Sequence, residues 1–188
     1  MTLVVGIGGT TRPGSSTERI VRAVLDAAAA TGATTRMFGG AELGALPHYA
    51  PERPDRTAAQ QELVEAVRAC DGLVIGTPGY HGGISGLVKN AIDLLEDLRG
   101  DERVYFDGRG VGLVVTAAGW QACGVTLTSL RSVVHAMRGW PTPMGIVVNS
   151  VAANPFDEDG ALADEGVRAS VREMARQVLV PARGWRQD

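Results

Sequence analysis

Gly76-Thr77-Pro78-Gly79-Tyr80-His81-Gly82-Gly83-Ile84-Ser85-Gly86 is the stretch that decides how this chain folds. The apolar run Gly72-Leu73-Val74-Ile75 leads into it and the amphipathic segment Leu87 to Leu98 leads out, so the glycines lie on a strand-to-helix turn. Turns of this kind, at the carboxyl ends of strands, are where open α/β sheets bind ligands. Five glycines and a proline remove side-chain bulk, which lets main-chain N–H groups approach a flat or anionic ligand closely. Tyr80 and His81 are the only large side chains there. A plain tight turn is the competing reading.

On the N-terminal side, Leu3-Val4-Val5-Gly6-Ile7-Gly8 is apolar on both faces, the pattern of a central parallel strand covered on either side by helices. Ile20, Val21, Val24, Leu25 and Ala28 then recur at helical spacing up to Gly32, and Thr34 to Phe38 reads as a second strand. Pro47, Pro51 and Pro54 break any helix between Gly39 and Arg56, which reads as one long surface loop. Ala58 to Ala69 is a second helix, and Gly72 to Thr77 a third strand. After the central stretch, Leu87, Ala91, Leu94, Leu95 and Leu98 form one stripe of a third helix, with Val88 and Ile92 outside it. Such wide apolar coverage calls for burial by the sheet plus neighbouring helices or by a second subunit, and it predicts a homodimer or homotetramer.

Further on, Val111 to Thr116 is a fourth strand and Ala117 to Gly124 a loop. Leu127, Leu130, Val134 and Met137 mark a fourth helix ended by Gly139 and Pro141. Met144 to Val148 is a fifth strand, Asn154 to Gly160 a turn-rich loop, and Glu165 to Leu179 a last helix. Strands alternating with helices of ten or more residues predict a doubly wound, five-stranded parallel sheet with helices on both faces, as a single domain over 1–188.

A domain of 188 residues buries roughly two-thirds of the surface its unfolded chain exposes. The two cysteines, Cys70 and Cys123, are too few for a disulfide framework or a zinc site and fit a reducing cytoplasm. A net charge of -3 without a basic stripe argues against a nucleic-acid surface. The opening Met1-Thr2-Leu3-Val4-Val5 has neither a basic flank nor a long apolar run, so neither a signal peptide nor a membrane attachment is expected.

The loop after the first strand, Gly9-Thr10-Thr11-Arg12-Pro13-Gly14-Ser15-Ser16-Thr17, combines hydroxyls, glycines and one arginine at a helix N-terminus. That is phosphate chemistry. Unpaired N–H groups and the positive helix end favour an anion, and Arg12 can clamp phosphate oxygens. The plainer alternative is a helix capped by Ser16 or Thr17 beside a solvated Arg12. Gly9-x-x-x-x-Gly14-Ser15-Ser16 has P-loop spacing, yet serine stands where a lysine reaches the β- and γ-phosphates, so nucleotide hydrolysis is not expected. Gly6-Ile7-Gly8 begins a dinucleotide fingerprint, but Thr11 takes the third glycine's place and no acidic residue closes the second strand at Phe38-Gly39-Gly40.

A hydroxyl-rich phosphate loop after strand one and a flat-ligand loop after strand three describe the flavodoxin-like arrangement, strand order 2-1-3-4-5. The first loop resembles the Gly-Ser-x-Arg-x-x-Ser-x-Asn phosphate loop of the NADPH-dependent FMN reductase family. Thr77-Pro78-Gly79-Tyr80-His81, with Gly86-Leu87-Val88-Lys89-Asn90-Ala91-Ile92-Asp93, resembles its second signature, Thr-Pro-Glu-Tyr-Asn followed by Gly-x-Leu-Lys-Asn-Ala-Ile-Asp. The resemblance implies that Thr10, Arg12, Ser15, Ser16 and Thr17 hold the FMN phosphate. It also implies that Pro78, Gly79, Tyr80, His81, Gly82 and Gly83 line the flavin, and that Ala118, Gly119 and Trp120, within Ala117 to Gly124, border its other edge.

Gly79 and His81 depart from the family's usual glutamate and asparagine, which bears on flavin environment and acceptor choice. The family reaction passes hydride from NADPH or NADH to the flavin and then electrons to an acceptor. The protein mainly positions rings, with no catalytic side chain and no metal. His81 is a possible modulator of reduced-flavin charge or an ordinary loop histidine. Trp120 and Cys123 are candidates for touching the acceptor, with packing the alternative for the tryptophan. His48 and His135 carry no chemistry, and Cys70 reads as core. The implied partners are a small-molecule acceptor or free flavin, and a flavin-dependent monooxygenase fed with reduced FMN. The alternatives are an FMN-retaining reductase of quinones, azo compounds or metal oxyanions, and a non-enzymatic electron carrier of flavodoxin type.

Overall fold

A computed structural model describes residues 2–184; Met1, at the start of the opening segment, and residues 185–188 of the expected 1–188 domain lie outside the described residues. Strands β1 (Leu3–Gly8), β2 (Thr34–Phe38), β3 (Gly72–Tyr80), β5 (Gly110–Ala117) and β6 (Trp140–Asn149) form a parallel sheet in the order β2-β1-β3-β5-β6. The two-residue β4 (Gly83–Ile84) pairs antiparallel with the end of β3. With β4 set aside, the five parallel strands stand in the expected 2-1-3-4-5 order. The helices are α1 (Ser16–Ala29), α2 (Gly40–Ala45), α3 (Ala58–Ala69), α4 (Gly86–Leu94), α5 (Trp120–Ala136), α6 (Glu165–Val178) and α7 (Val180–Gly184).

Side chains alternate along each central strand, and both faces are buried. Val4, Val74 and Val114 pack with Ile20, Val24 and Met174 under α1 and α6, while Val5, Ile7, Leu73, Ile75 and Leu113 pack with Leu63, Leu94 and Leu130 under α3, α4 and α5. This is why the strands read as continuous apolar runs. Each fully buried aliphatic side chain contributes about 1.5–3 kcal/mol of transfer free energy. The absence of a side chain at Gly76 sets how close α1 comes to the sheet: an added Cβ would lie 2.4 Å from Val21 Cγ2 and 3.0 Å from Thr17 Cγ2. The N-terminus of α1 is thereby held against the end of β3.

Several expected boundaries move. The segment Gly39–Arg56 is not all loop, because α2 forms at Gly40–Ala45, with the Glu42 carboxylate accepting from Gly39 N at 3.1 Å and pairing with Arg36. A helix of six residues is too short for periodicity to register. Strand β3 runs on to Tyr80 because its end pairs with β4. The third helix stops being α-helical at Leu94 and finishes as a 3-10 turn, Leu95–Leu98. α5 begins at Trp120, so the loop expected at Ala117–Gly124 shrinks to Ala118 and Gly119, with Gly124 an exposed helical residue. β6 begins at Trp140, before its expected start at Met144, and its register slips opposite Val111 and Leu113.

Val88 and Ile92 are 0% and 3% exposed within the single chain. The wide apolar face of α4 is therefore consumed by the chain's own core, and it no longer argues for a second subunit. Among the described residues no helix is long and apolar enough to cross a membrane.

Candidate functional site

The carboxyl ends of β1, β3, β5 and β6 meet at one cleft. Ser15, not Ser16 or Thr17, is the N-cap of α1, its hydroxyl accepting from Glu18 N at 3.3 Å. The N–H groups of Ser16 and Thr17 have no acceptor within the helix by its geometry. Gly14, at φ +64°, turns the chain just before the cap. Thr10 Oγ1 accepts from Arg12 N at 3.2 Å, which folds the loop back on itself. The Arg12 guanidinium is exposed and meets no carboxylate or carbonyl among the described residues.

A cavity of about 220 Å³ brings Thr10, Arg12, Ser15, Ser16 and Thr17 together with Pro78, Gly79 and Tyr80 of β3 and Ala118 beyond β5. A second, about 170 Å³, adjoins it through the shared Thr10, Pro78 and Tyr80 and reaches Ser85 and Leu87. Together they approach the size of cofactor clefts, about 300–1,000 Å³. Larger cavities exist, one of about 490 Å³ between α4 and α5 lined by Ile92, Tyr105, Val133 and Met137, but no phosphate-type loop or strand end borders it. The smaller cleft has the chemistry.

Thr116 and Ser150 also line the first cavity, and residue patterns alone did not single them out. Thr116 stands opposite Pro78 in the β3–β5 register, and Ser150 follows the last residue of β6, its hydroxyl donating to Ala117 O at 3.3 Å. A hydroxyl at the carboxyl end of a sheet strand is the signal that marks both. Thr17 Oγ1 and Thr116 Oγ1 lie 2.6 Å apart in a buried pair. One donates to the other, which leaves a single hydroxyl proton free to point elsewhere.

Tyr80 pairs with Gly83, so His81 and Gly82 form a two-residue hairpin turn, with φ +52° and +78°. Both central residues at positive φ is the type I′ pattern. His81, Gly82, Gly83, Gly119 and Trp120 fall outside the lining of the two cavities, and His81 is exposed at the hairpin tip. Thr77 Oγ1 accepts from Ser85 N at 3.0 Å and so closes the base of the hairpin, while the Ser85 hydroxyl caps α4. Gly79 lies under α5: an added Cβ would meet Thr126 Oγ1 at 2.8 Å and Ala117 Cβ at 3.1 Å. A glutamate does not fit there without displacing the helix. The Thr126 hydroxyl itself is buried without a hydrogen-bond partner among the described residues.

The segment around Lys89 and Asn90 serves architecture. Asn90 accepts from Tyr49 N at 2.8 Å and donates to Pro47 O at 3.1 Å, tying the proline-containing loop to α4, and Lys89 pairs with Asp93 on the surface. Cys123 cannot touch an acceptor. It is 1% exposed, its Sγ faces Val148 O, and burial raises its thiol pKa. Cys70 is core as expected, with its thiol pushed up to about 11 chiefly by burial. Trp120, by contrast, is not packed but 61% exposed. His48 and His135 are both exposed. Among the described residues no group of acidic, histidine or cysteine side chains is arranged to hold a metal ion.

A mononucleotide phosphate fits the donor set at Arg12, Ser15, Ser16 and the α1 N-terminus, and the side-chain-poor β3 end fits a flat ring. Known proteins point the same way. The chain is 33% identical over 106 residues to an FMN-dependent NADPH-azoreductase of Staphylococcus aureus (strain USA300), 56% of this chain and 49% of that protein. It thus spans about half the length of the curated relatives it matches. Its fold resembles the flavoenzyme NAD(P)H:(acceptor) oxidoreductase of Paracoccus denitrificans at a TM-score of 0.76, with 19% identity, 95% of this chain and 97% of that one. It also resembles an oxidoreductase of Corynebacterium diphtheriae at a TM-score of 0.71, with 22% identity and 96% and 98% coverage. The model of the NADPH-dependent FMN reductase family matches residues 2–154, and this chain belongs to that family.

Proposed function

We propose that the chain, acting as a single FMN-binding domain over 1–188, is an oxidoreductase that draws electrons from NADPH or NADH and binds FMN in the cleft at the carboxyl ends of β1, β3 and β5. The observation that carries this reading is an exposed arginine without a partner among the described residues, placed with two serines at a capped helix N-terminus, beside a side-chain-poor strand end. Bound there, FMN would supply the two-electron chemistry between nicotinamide and acceptor. Arg12, Ser15, Ser16, Thr10 and the α1 N–H groups would hold the phosphate. Thr116, which shares a hydrogen bond with Thr17, leaves one hydroxyl proton of the pair for the ligand. Pro78, Gly79 and Tyr80 present backbone and ring to the flavin, and Ala118 borders the opposite edge.

The electrons would go to a small-molecule acceptor or, through released reduced FMN, to a partner monooxygenase. The open cleft supports a homodimer or homotetramer in which a second copy supplies a wall. Two buried thiols without a disulfide support a cytoplasmic protein. The test is a pair of titrations, FMN against riboflavin, on wild type and Arg12→Ala. FMN should weaken roughly 10- to 150-fold, the equivalent of about 1.5–3 kcal/mol for a charged hydrogen bond, with riboflavin unchanged. Equal weakening of both ligands removes the phosphate assignment, and wild type that binds neither removes the reading altogether.

A further inference from the structure

The hydroxyls around the cleft differ in what each has left to offer a ligand. Ser15 Oγ accepts from Glu18 N at 3.3 Å, so its own proton stays uncommitted. The Ser16 hydroxyl lines the cleft and forms no hydrogen bond among the described residues. Thr17 and Thr116 use one proton between them and keep the other. Thr10 is unlike all of these. Its Oγ1 accepts from Arg12 N at 3.2 Å and donates to Arg12 O at 3.4 Å, so both functions of the hydroxyl are directed at the main chain of a single residue.

Thr10 is also held from behind. The start of α2 lies directly against it, because an added Cβ on Gly40 would overlap Thr10 O, and one on Gly44 would lie 3.6 Å from Thr11 Cγ2. Gly40 N in turn donates to the Glu18 carboxylate at 3.2 Å, and Glu18 stands in the first turn of α1. The loop therefore leaves a fixed point between α1 and α2 and runs out to an exposed Arg12. Between that point and the Ser15 cap, the two bonds from Thr10 are the hydrogen bonds that fix residue 12 among the described residues. A loop ordered before its ligand arrives no longer loses that freedom in the binding step.

We propose that Thr10 is a positioning residue, which acts on the ligand phosphate through Arg12 by fixing its main chain and not by touching the phosphate. The inference rests on the FMN reading above and deepens it: Arg12, Ser15 and Ser16 make contact, and Thr10 aims the first of them. The likeness of this loop to the family's counts Thr10 among the residues that hold the phosphate. Its hydrogen bonds give it that share only through Arg12.

The test is calorimetric titration of the flavin-free full chain with FMN and with riboflavin, on wild type, Thr10→Val, Arg12→Ala and the double variant. Thr10→Val keeps the branched shape but neither accepts nor donates; it should weaken FMN about two- to tenfold and leave riboflavin within about twofold. In the Arg12→Ala background the same substitution should bring no further loss, since the side chain it aims is gone. Thr10→Asn, whose amide oxygen accepts from the N–H two residues on without supplying a hydroxyl, should bring FMN back to within about twofold of wild type, and only while Arg12 is present. A Thr10→Val loss that persists in full beside Arg12→Ala shows direct contact and overturns the proposal. Unchanged FMN binding in Thr10→Val, an equal loss of riboflavin, or a Thr10→Asn variant as weak as Thr10→Val overturns it too. A wild type that fails to bind FMN removes the functional reading and this inference together, whereas an additive cycle beside the expected Arg12→Ala effect removes this inference alone.

Discussion

Arg109 and Arg12 mark the two ends of one sheet and are used in opposite ways. Arg109 precedes β5 at the amino end, is 0% exposed, and donates to the carbonyls of Cys70 at 3.0 Å, Tyr105 at 2.7 Å and Arg68 at 2.8 Å. Burial lowers its pKa, and two of the carbonyls it bonds, those of Arg68 and Cys70, are left over where α3 ends. Arg12 lies at the carboxyl end, in solvent, with no partner for its guanidinium among the described residues. A fold satisfies its buried polar groups or loses stability. An exposed guanidinium is solvated instead, so Arg12 adds little to the fold and is available to the ligand proposed for the cleft.

The sharpest way to break that contrast is at Arg109. Arg109→Met keeps much of the volume but strands several buried carbonyls, so unfolding in urea should show a loss of about 3–5 kcal/mol. Arg12→Ala, by the same measurement, should fall within about 0.5 kcal/mol of wild type while costing FMN binding about 1.5–3 kcal/mol. If Arg12 proved as costly to the fold as Arg109, the division between the two ends would not stand.

Gly79 tests whether the carboxyl end is also tightly built where β3 packs against α5. A methyl there would press on Thr126 Oγ1, so Gly79→Ala should cost about 1–3 kcal/mol of stability. Because the Thr126 hydroxyl is buried and without a partner among the described residues, Thr126→Ala should be mild and should relieve most of the Gly79→Ala cost in the double variant. Strict additivity in that cycle would mean that the two residues do not press on each other.

How far the sequence carries the reader differs between these ends as well. The parallel order, the five main strands and Ala58–Ala69 are legible because apolar periodicity is long and buried on both faces. The phosphate loop is legible because its residue types are unusual together. The cap at Ser15, one residue before the two expected, is not, since three adjacent hydroxyl residues are equally good caps by type. Thr116 is hidden because it is one polar residue near the end of an apolar strand and only register shows what it faces, and Ser150 because a serine just past a strand end reads as ordinary loop. The wide apolar face of α4 misled for a different reason. Periodicity reports how much of a helix is apolar, and it is silent on whether Val88 and Ile92 meet the chain's own core or another chain.

The smallest effect concerns His81, where the family's second signature carries asparagine. The hairpin turn places it at φ +52° next to Gly82 at +78°, a left-handed conformation that asparagine, aspartate and histidine enter far more readily than other side chains. The substitution therefore keeps the turn geometry, which accounts for it without any role in flavin chemistry. His81→Asn should leave stability unchanged or raise it by about 0.5 kcal/mol or less, with no change in FMN affinity, because the side chain is exposed and outside the cleft lining. His81→Val, which forces a β-branched side chain into the same conformation, should cost about 1 kcal/mol or more. If His81→Asn instead shifts the flavin's reduction potential while stability stays fixed, the imidazole acts on the ring, and the hairpin tip belongs to the chemical end of the molecule and not to its scaffold.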